Sequence, residues 1–124
     1  MKAFKKIKYA CVLTTVLMFL SSPSISFSES IKIGAMFISS GKMGGYGKHG
    51  SQAIQLAVDE INADGGVLGR NLEAVVEDTK LKKDVALALA ERFVNQDKVD
   101  FLMGPTSSGI AMGLTEFARE MKMV

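Results

Sequence analysis

The sequence predicts an α/β fold, a parallel sheet with helices on both faces. Two observations carry that expectation. Short runs rich in β-branched and aromatic residues alternate with longer stretches whose apolar residues recur every three or four positions. Connections of helix length between consecutive strands bring those strands back parallel, through right-handed crossovers.

Ser30 to Ile38 is the first strand, and Ser39 to Gly47 reads as a loop rich in glycine and serine. From about Gly47 to Asn62, Ile54, Ala57, Val58 and Ile61 fall on one helical face, and Gly65-Gly66 ends the helix by accepting left-handed backbone. Asn71 to Glu77 forms a second strand. Val85, Leu89 and Phe93 stripe a second helix over about Lys82 to Gln96, which starts without a good cap because lysines occupy its entry. Val99 to Met103 is a short buried strand. A third helix then runs from about Ser108, striped by Ile110, Leu114, Phe117 and Met121. Met103, Met112, Met121 and Met123 are expected to fill the core.

Residues 1–28 stand apart. Lys2, Lys5, Lys6 and Lys8 precede an apolar run from Tyr9 to Leu20, and Ser26 and Ser28 suit cleavage before Glu29. The run is shorter than the roughly 20 residues a membrane span requires. Cys11 is placed wrongly for a lipoprotein signal, because most of the apolar run follows it. The segment is expected to be a secretory signal peptide, with export as its consequence. Residues 29–124 then hold 11 basic against 13 acidic residues, a net charge of −2, and no cysteine. That excludes a disulfide framework and thiol chemistry, and it leaves no basic footprint for nucleic acid. At the other end, Met121 to Val124 reads as a helix running into a further strand, so a truncated or partial sequence is expected.

The stretch with the most chemical content is Val99 to Gly109. A strand, a Gly104-Pro105 turn and the start of a helix at Ser107-Ser108 aim free backbone N–H groups and two hydroxyls at whatever lies above the strand ends. A helix start carries unpaired donors and about half a positive charge, so it suits an anion such as a carboxylate. Tyr46, an aromatic in the glycine-rich loop after the first strand, suits one side of a small ligand.

Other chemistries fit less well. Gly45-Tyr46-Gly47-Lys48-His49-Gly50 matches the G-x-G-x-x-G dinucleotide fingerprint, with Glu77 or Asp78 as the ribose acid. About six residues separate the motif from its strand, however, and the acids lie 27 and 28 residues past Gly50, beyond the spacing of about 20. A phosphate loop fails because Met43 follows Gly41-Lys42 and position 36 is Met. Neither Ser107 nor Ser108 sits in G-x-S-x-G. His49, the only histidine, has no evident carboxylate partner, and with no cysteine in residues 29–124 there is no transition-metal ligand set. No enzyme activity, metal or cofactor is expected.

Several blocks in order carry a family resemblance: Ile33-Gly34-Ala35, Ser40-Gly41, Tyr46-Gly47, Ala57 to Gly69 (AVDEINADGGVLG), Glu77-Asp78-Thr79-Lys80, Val99-Asp100-Phe101 and Gly104 to Gly109 (GPTSSG). Together the chain resembles the start of a type I periplasmic binding protein of the leucine/isoleucine/valine-binding kind. The resemblance implies a two-lobe α/β fold closing on a ligand, with residues 29–124 forming the N-terminal part of the first lobe. It implies that Ser108 binds a ligand α-carboxylate, aided by N–H groups at Gly109 and beyond, with Ser107 as a neighbour and Tyr46 bordering the ligand. It also implies a monomer that delivers a branched-chain or similar small amino acid to an ABC permease. The alternatives are a receptor of the same fold for an amide, urea or another short aliphatic ligand, a fragment of a dinucleotide enzyme, and a non-functional remnant.

Overall fold

In the computed structural model, which describes residues 29–124, three strands form one parallel sheet. The expected signal peptide lies outside the described residues. Strand β1 (Ile31–Phe37) is central, flanked by β2 (Leu72–Asp78) and by β3 (Phe101–Met103). The β1–β2 register runs from Ile31 opposite Leu72 to Phe37 opposite Asp78. The β1–β3 register spans only Ile33 opposite Phe101 to Ala35 opposite Met103. Three helices follow the strands: α1 (Gly44–Ala63), α2 (Lys83–Arg92) and α3 (Ser108–Met121).

The topology explains which face each helix takes. The step from β1 to β2 goes one way across the sheet, and the step from β2 to β3 crosses back over β1. Crossovers of one hand must then lie on opposite faces. Accordingly, α1 packs Ile54 and Val58 on Ala35, with Ile33, Phe37, Leu72, Ala74 and Val76 around them. On the other face Met36 meets Ala86, Ala90 and Phe93 of the α2 segment and Ile110 and Leu114 of α3, with Val75 and Leu102 packed alongside. The alternation of Ala35 with Met36, and of Val75 with Val76, is the period-two pattern of a sheet covered on both sides. Among the described residues no helix is long and apolar enough to cross a membrane.

Several sequence expectations need correction. The segment after β1 is not an extended loop to Gly47: a short 3-10 turn (Gly41–Met43) leads straight into α1 at Gly44. The second helix is α-helical only from Lys83 to Arg92 and finishes as a π-helical turn, Phe93–Asp97, closed by Lys98 in left-handed conformation. Its capping position, Lys82, makes no side-chain cap bond, as its sequence predicts.

Val99 is buried as expected, but β3 itself is covered on one side only, where Leu102 packs on the core. Phe101 and Met103 lie on the α1 side of the sheet, where α1 does not reach them, and are 45% and 48% exposed. For the same reason Ala57 and Ile61 of α1 are exposed and line an apolar hollow of about 440 Å³ with Ile33, Phe37, Leu72 and Met103. The methionines are mostly not core filler either: Met112 is 75% exposed and Met121 is exposed, whereas Met123 does pack on the core. The further strand expected after α3 is not formed: Met123 and Val124 have no regular structure, although the Leu102 N–H donates to a Val124 main-chain oxygen at 2.8 Å.

Candidate functional site

Because β1 sits between β2 and β3, the chain leaves β1 toward one side and reaches β3 on the other. The carboxyl ends of β1 and β3 therefore flank the switch point of the sheet, where open α/β folds hold their ligands. Two segments arrive there, the β1–α1 connection and the β3–α3 turn.

The β3–α3 turn is pressed onto the end of β1. Gly104 has φ +106°, and a Cβ built there would stand 2.2 Å from the Met36 carbonyl oxygen, so only glycine fits both the backbone and the space. Gly104-Pro105 is a cis peptide. The turn leads to Ser107, the N-cap of α3, whose backbone is extended and whose side chain makes no capping bond. The first helical hydrogen bond runs from the Ala111 N–H to the Ser107 carbonyl at 2.9 Å. The N–H groups of Ser108, Gly109 and Ile110 thus precede the helical ladder, and α3 has no acidic residue in its first turn. Ser108 and Gly109 are exposed, and Ser107 is half-buried. A concentrated group of donors with no carboxylate of its own can receive a small anion.

On the other side, Tyr46 is the third residue of α1, not a loop residue. It is 66% exposed and lines a shallow hollow of about 250 Å³ with Lys42, Met43, Gly45 and His49. Neither Ser107 nor Ser108 lines that hollow, so the structure brings Ser107, Ser108 and Gly109 together but does not join Tyr46 to them.

The glycines around Tyr46 have a packing explanation. A Cβ at Gly47 would lie 2.0 Å from the Ile38 carbonyl oxygen, and one at Gly44 would lie 2.7 Å from that of Ser39. One at Gly50 would meet the Phe37 ring at 3.3 Å, whereas Gly45 faces open space. Close approach of the helix to the end of β1 therefore accounts for Gly47 of the fingerprint, and Gly50 lies close against the Phe37 ring. Both candidate ribose acids are engaged elsewhere. Glu77 binds the Arg92 guanidinium at 2.6 Å, which raises the pKa of that group further. The Asp78 Oδ1 accepts the N–H groups of Ser39 at 2.9 Å and Lys80 at 2.8 Å. Partial burial pushes the Asp78 carboxyl up, but these two bonds, the Ser40 hydroxyl and the Lys80 charge outweigh it and hold the group below the usual carboxylate value. The Asp78 bonds escape sequence reasoning, since a strand-ending acid looks the same whether it turns to solvent or to a neighbouring loop.

The family model described as "Periplasmic binding protein" matches residues 30–124. The Leu/Ile/Val-binding protein BraC3 of Rhizobium johnstonii is 31% identical over 90 residues, covering 73% of this chain and 24% of that one. The Leu/Ile/Val-binding protein of Escherichia coli is 31% identical over 85 residues, covering 68% and 23%. Among solved structures, the branched-chain amino acid transporter substrate binding protein LivJ from Streptococcus pneumoniae, in complex with isoleucine, superposes with a TM-score of 0.71 at 37% identity, covering 76% of this chain and 27% of that one. The leucine binding protein LivK of Thermotoga maritima gives 0.63 at 27% identity, covering 73% and 25%. The chain thus spans about a quarter of the length of the relatives it matches. The family model's match over residues 30–124, the identity to the curated relatives and the shared fold lead to one conclusion: this chain belongs to the periplasmic binding protein family.

Proposed function

We propose that the chain forms part of the first lobe of an extracytoplasmic solute receptor, exported by the segment 1–28. The receptor binds a branched-chain or similar small amino acid non-covalently between two lobes and delivers it to an ABC permease. The observation that carries this reading is the start of α3, with its Ser108, Gly109 and Ile110 N–H groups ahead of the helical ladder at the switch point of the sheet and no acid in the first turn. An amino acid offers the matching carboxylate. Ser108 supplies a hydroxyl, Gly109 a backbone N–H and Ser107 an adjacent hydroxyl, while Tyr46 borders the ligand from the α1 side. BraC3 and the E. coli relative are Leu/Ile/Val-binding proteins and the S. pneumoniae structure holds isoleucine, which supports this class of ligand.

Calorimetric titration of the natural protein tests the reading. Leucine, isoleucine or valine is expected to bind, while urea, acetamide and NAD are not. Ser108→Ala is expected to weaken amino-acid binding by about 1–3 kcal/mol, the range for a hydrogen bond to a charged group. Binding of urea or acetamide in preference to amino acids would move the protein to the amide branch of the same fold. NAD binding with amino acids without effect would favour the enzyme reading. An unchanged affinity in Ser108→Ala would remove that residue from the site.

A further inference from the structure

We propose that Asp78 is a positioning residue for the ligand site: its carboxylate replaces a missing rung of the sheet and fixes the segment that carries Tyr46. The role in binding rests on the reading of Tyr46 as a wall of that site, whereas the tie itself does not.

The hydrogen-bond pattern at the end of the β1–β2 ladder carries the argument. Phe37 and Asp78 are the last register pair, and the Thr79 N–H donates to the Phe37 carbonyl at 2.8 Å. The next bond of a parallel ladder would run from the Ser39 N–H to the Thr79 carbonyl. That carbonyl is not offered. The chain turns through Lys80 (φ +51°) and Leu81 (φ +57°), and the Thr79 carbonyl accepts the Lys82 N–H at 2.9 Å. Ser39 donates instead to the Asp78 Oδ1, the same oxygen that takes the Lys80 N–H. One carboxylate oxygen therefore joins the connection after β1 to the turn after β2, and it also braces two consecutive non-glycine residues in left-handed backbone.

Ser39 in turn fixes α1. Gly44 and Gly47 bring the first turn of the helix against the Ile38–Ser39 backbone so closely that neither position has room for a Cβ. Tyr46 lies between those two contacts, so a displacement of Ser39 displaces Tyr46. A carboxylate suits this place because it is acceptor-only and can take two N–H groups on one oxygen. A wall held in this way stands before the ligand arrives, so binding does not have to order it.

The test uses the natural protein, its Asp78→Ala and Asp78→Asn variants, hydrogen exchange read by mass spectrometry, and leucine as the titrated probe. Asp78→Ala is expected to accelerate exchange about tenfold or more over residues 38–47 and 79–82, while residues 31–36 stay protected. It is also expected to weaken leucine binding about fivefold or more. Asp78→Asn keeps an acceptor at Oδ1 and is expected to recover most of both effects. Exchange that is unchanged in residues 38–47 overturns the proposal, as does acceleration that includes 31–36 equally. Local acceleration with unchanged leucine affinity overturns the link to the site. If the wild-type protein binds no leucine while the local exchange change is present, the amino-acid reading fails together with the role in binding, and the tie alone is demonstrated.

Discussion

The ring of Phe93 occupies the space above Gly34 in which a side chain would stand: a Cβ on Gly34 would lie 2.5 Å from Cδ2 of the ring. Phe93 is fully buried and seats the π-helical end of the α2 segment on the central strand, with the Arg92 guanidinium 5.2 Å from its ring centre. The two positions are complementary in volume, so they should be coupled in energy. Gly34→Ala is expected to cost about 1–3 kcal/mol by overpacking. Phe93→Ala is expected to cost about 3–5 kcal/mol through lost transfer energy and a cavity. In the double variant Gly34→Ala/Phe93→Ala the losses should fall short of the sum of the singles by about 0.5 kcal/mol or more. Urea unfolding midpoints measure all of these, and strict additivity would show that the ring does not bear on Gly34.

Gly45 and Gly47 stand two residues apart in α1 and should respond in opposite directions. Gly45 faces open space, so Gly45→Ala gains helix propensity and reduces unfolded-state freedom, raising stability by about 0.4–1 kcal/mol. At Gly47 a Cβ meets the main-chain oxygen of Ile38, which no flexible side chain can relieve. Gly47→Ala is therefore expected to destabilise by about 1–3 kcal/mol. Thermal unfolding of the two variants side by side decides the matter. Equal effects would mean that packing of α1 against β1 does not explain the glycine.

These glycines also show what the sequence can and cannot convey. Ile54 and Val58 reach the core as their helical spacing requires, and Gly-Pro before two serines locates the start of α3, because both signals are local. The start of α1 is obscured because Gly44, Gly45 and Gly47 lower helix propensity, while the reason for two of them, contact with the Ile38–Ser39 backbone, is a tertiary one. The exposure of Phe101 and Met103 depends on how far α1 extends over the sheet, which no local pattern encodes. Asn62 looks like a helix-ending residue, yet its amide donates to the Leu72 carbonyl at 2.9 Å and accepts the Leu72 N–H at 2.7 Å. It thus works as a strand partner ten residues away. Ser107, Ser108 and Gly109 were legible as a group because they are contiguous, whereas the placement of Tyr46 depends on the packing of α1.

The turn at Leu68-Gly69 carries a local conflict that can be relieved. Val67 and Arg70 exchange both main-chain hydrogen bonds, at 2.8 and 3.0 Å, around two residues with φ +53° and +75°. That is the mirror-image turn which favours Asn-Gly. Leu68 is 96% exposed, so its side chain contributes no packing to offset the left-handed backbone. Leu68→Asn is expected to stabilise the chain by about 0.5–1 kcal/mol, seen as a higher urea midpoint with an unchanged slope. A neutral or negative result would show that the turn differs in solution.

The carboxyl of Asp78 should leave a signature in acid. Its folded-state pKa lies below the ordinary value of 3.8, since the bonds from Ser39, Lys80 and Ser40 and the nearby Lys80 charge outweigh the effect of partial burial. Between the folded and unfolded pKa values the unfolded chain binds more protons, so stability falls as pH falls. The contribution is fully present above about pH 3.8 and is lost as pH drops through the lower folded value. Asp78→Asn cannot titrate at this position. Its stability deficit relative to wild type should be constant near neutrality, narrow below about pH 3.8 and close once the wild-type carboxyl is protonated in both states. Urea midpoints of both proteins from pH 7 down to about 2 follow this directly, with moderate salt included to check that the screened Lys80 charge is the lesser contributor. A gap that persists unchanged through the acid range would mean that the amide disrupts the turn by its shape, and that ionisation of Asp78 adds nothing to the tie its oxygen makes with Ser39 and Lys80.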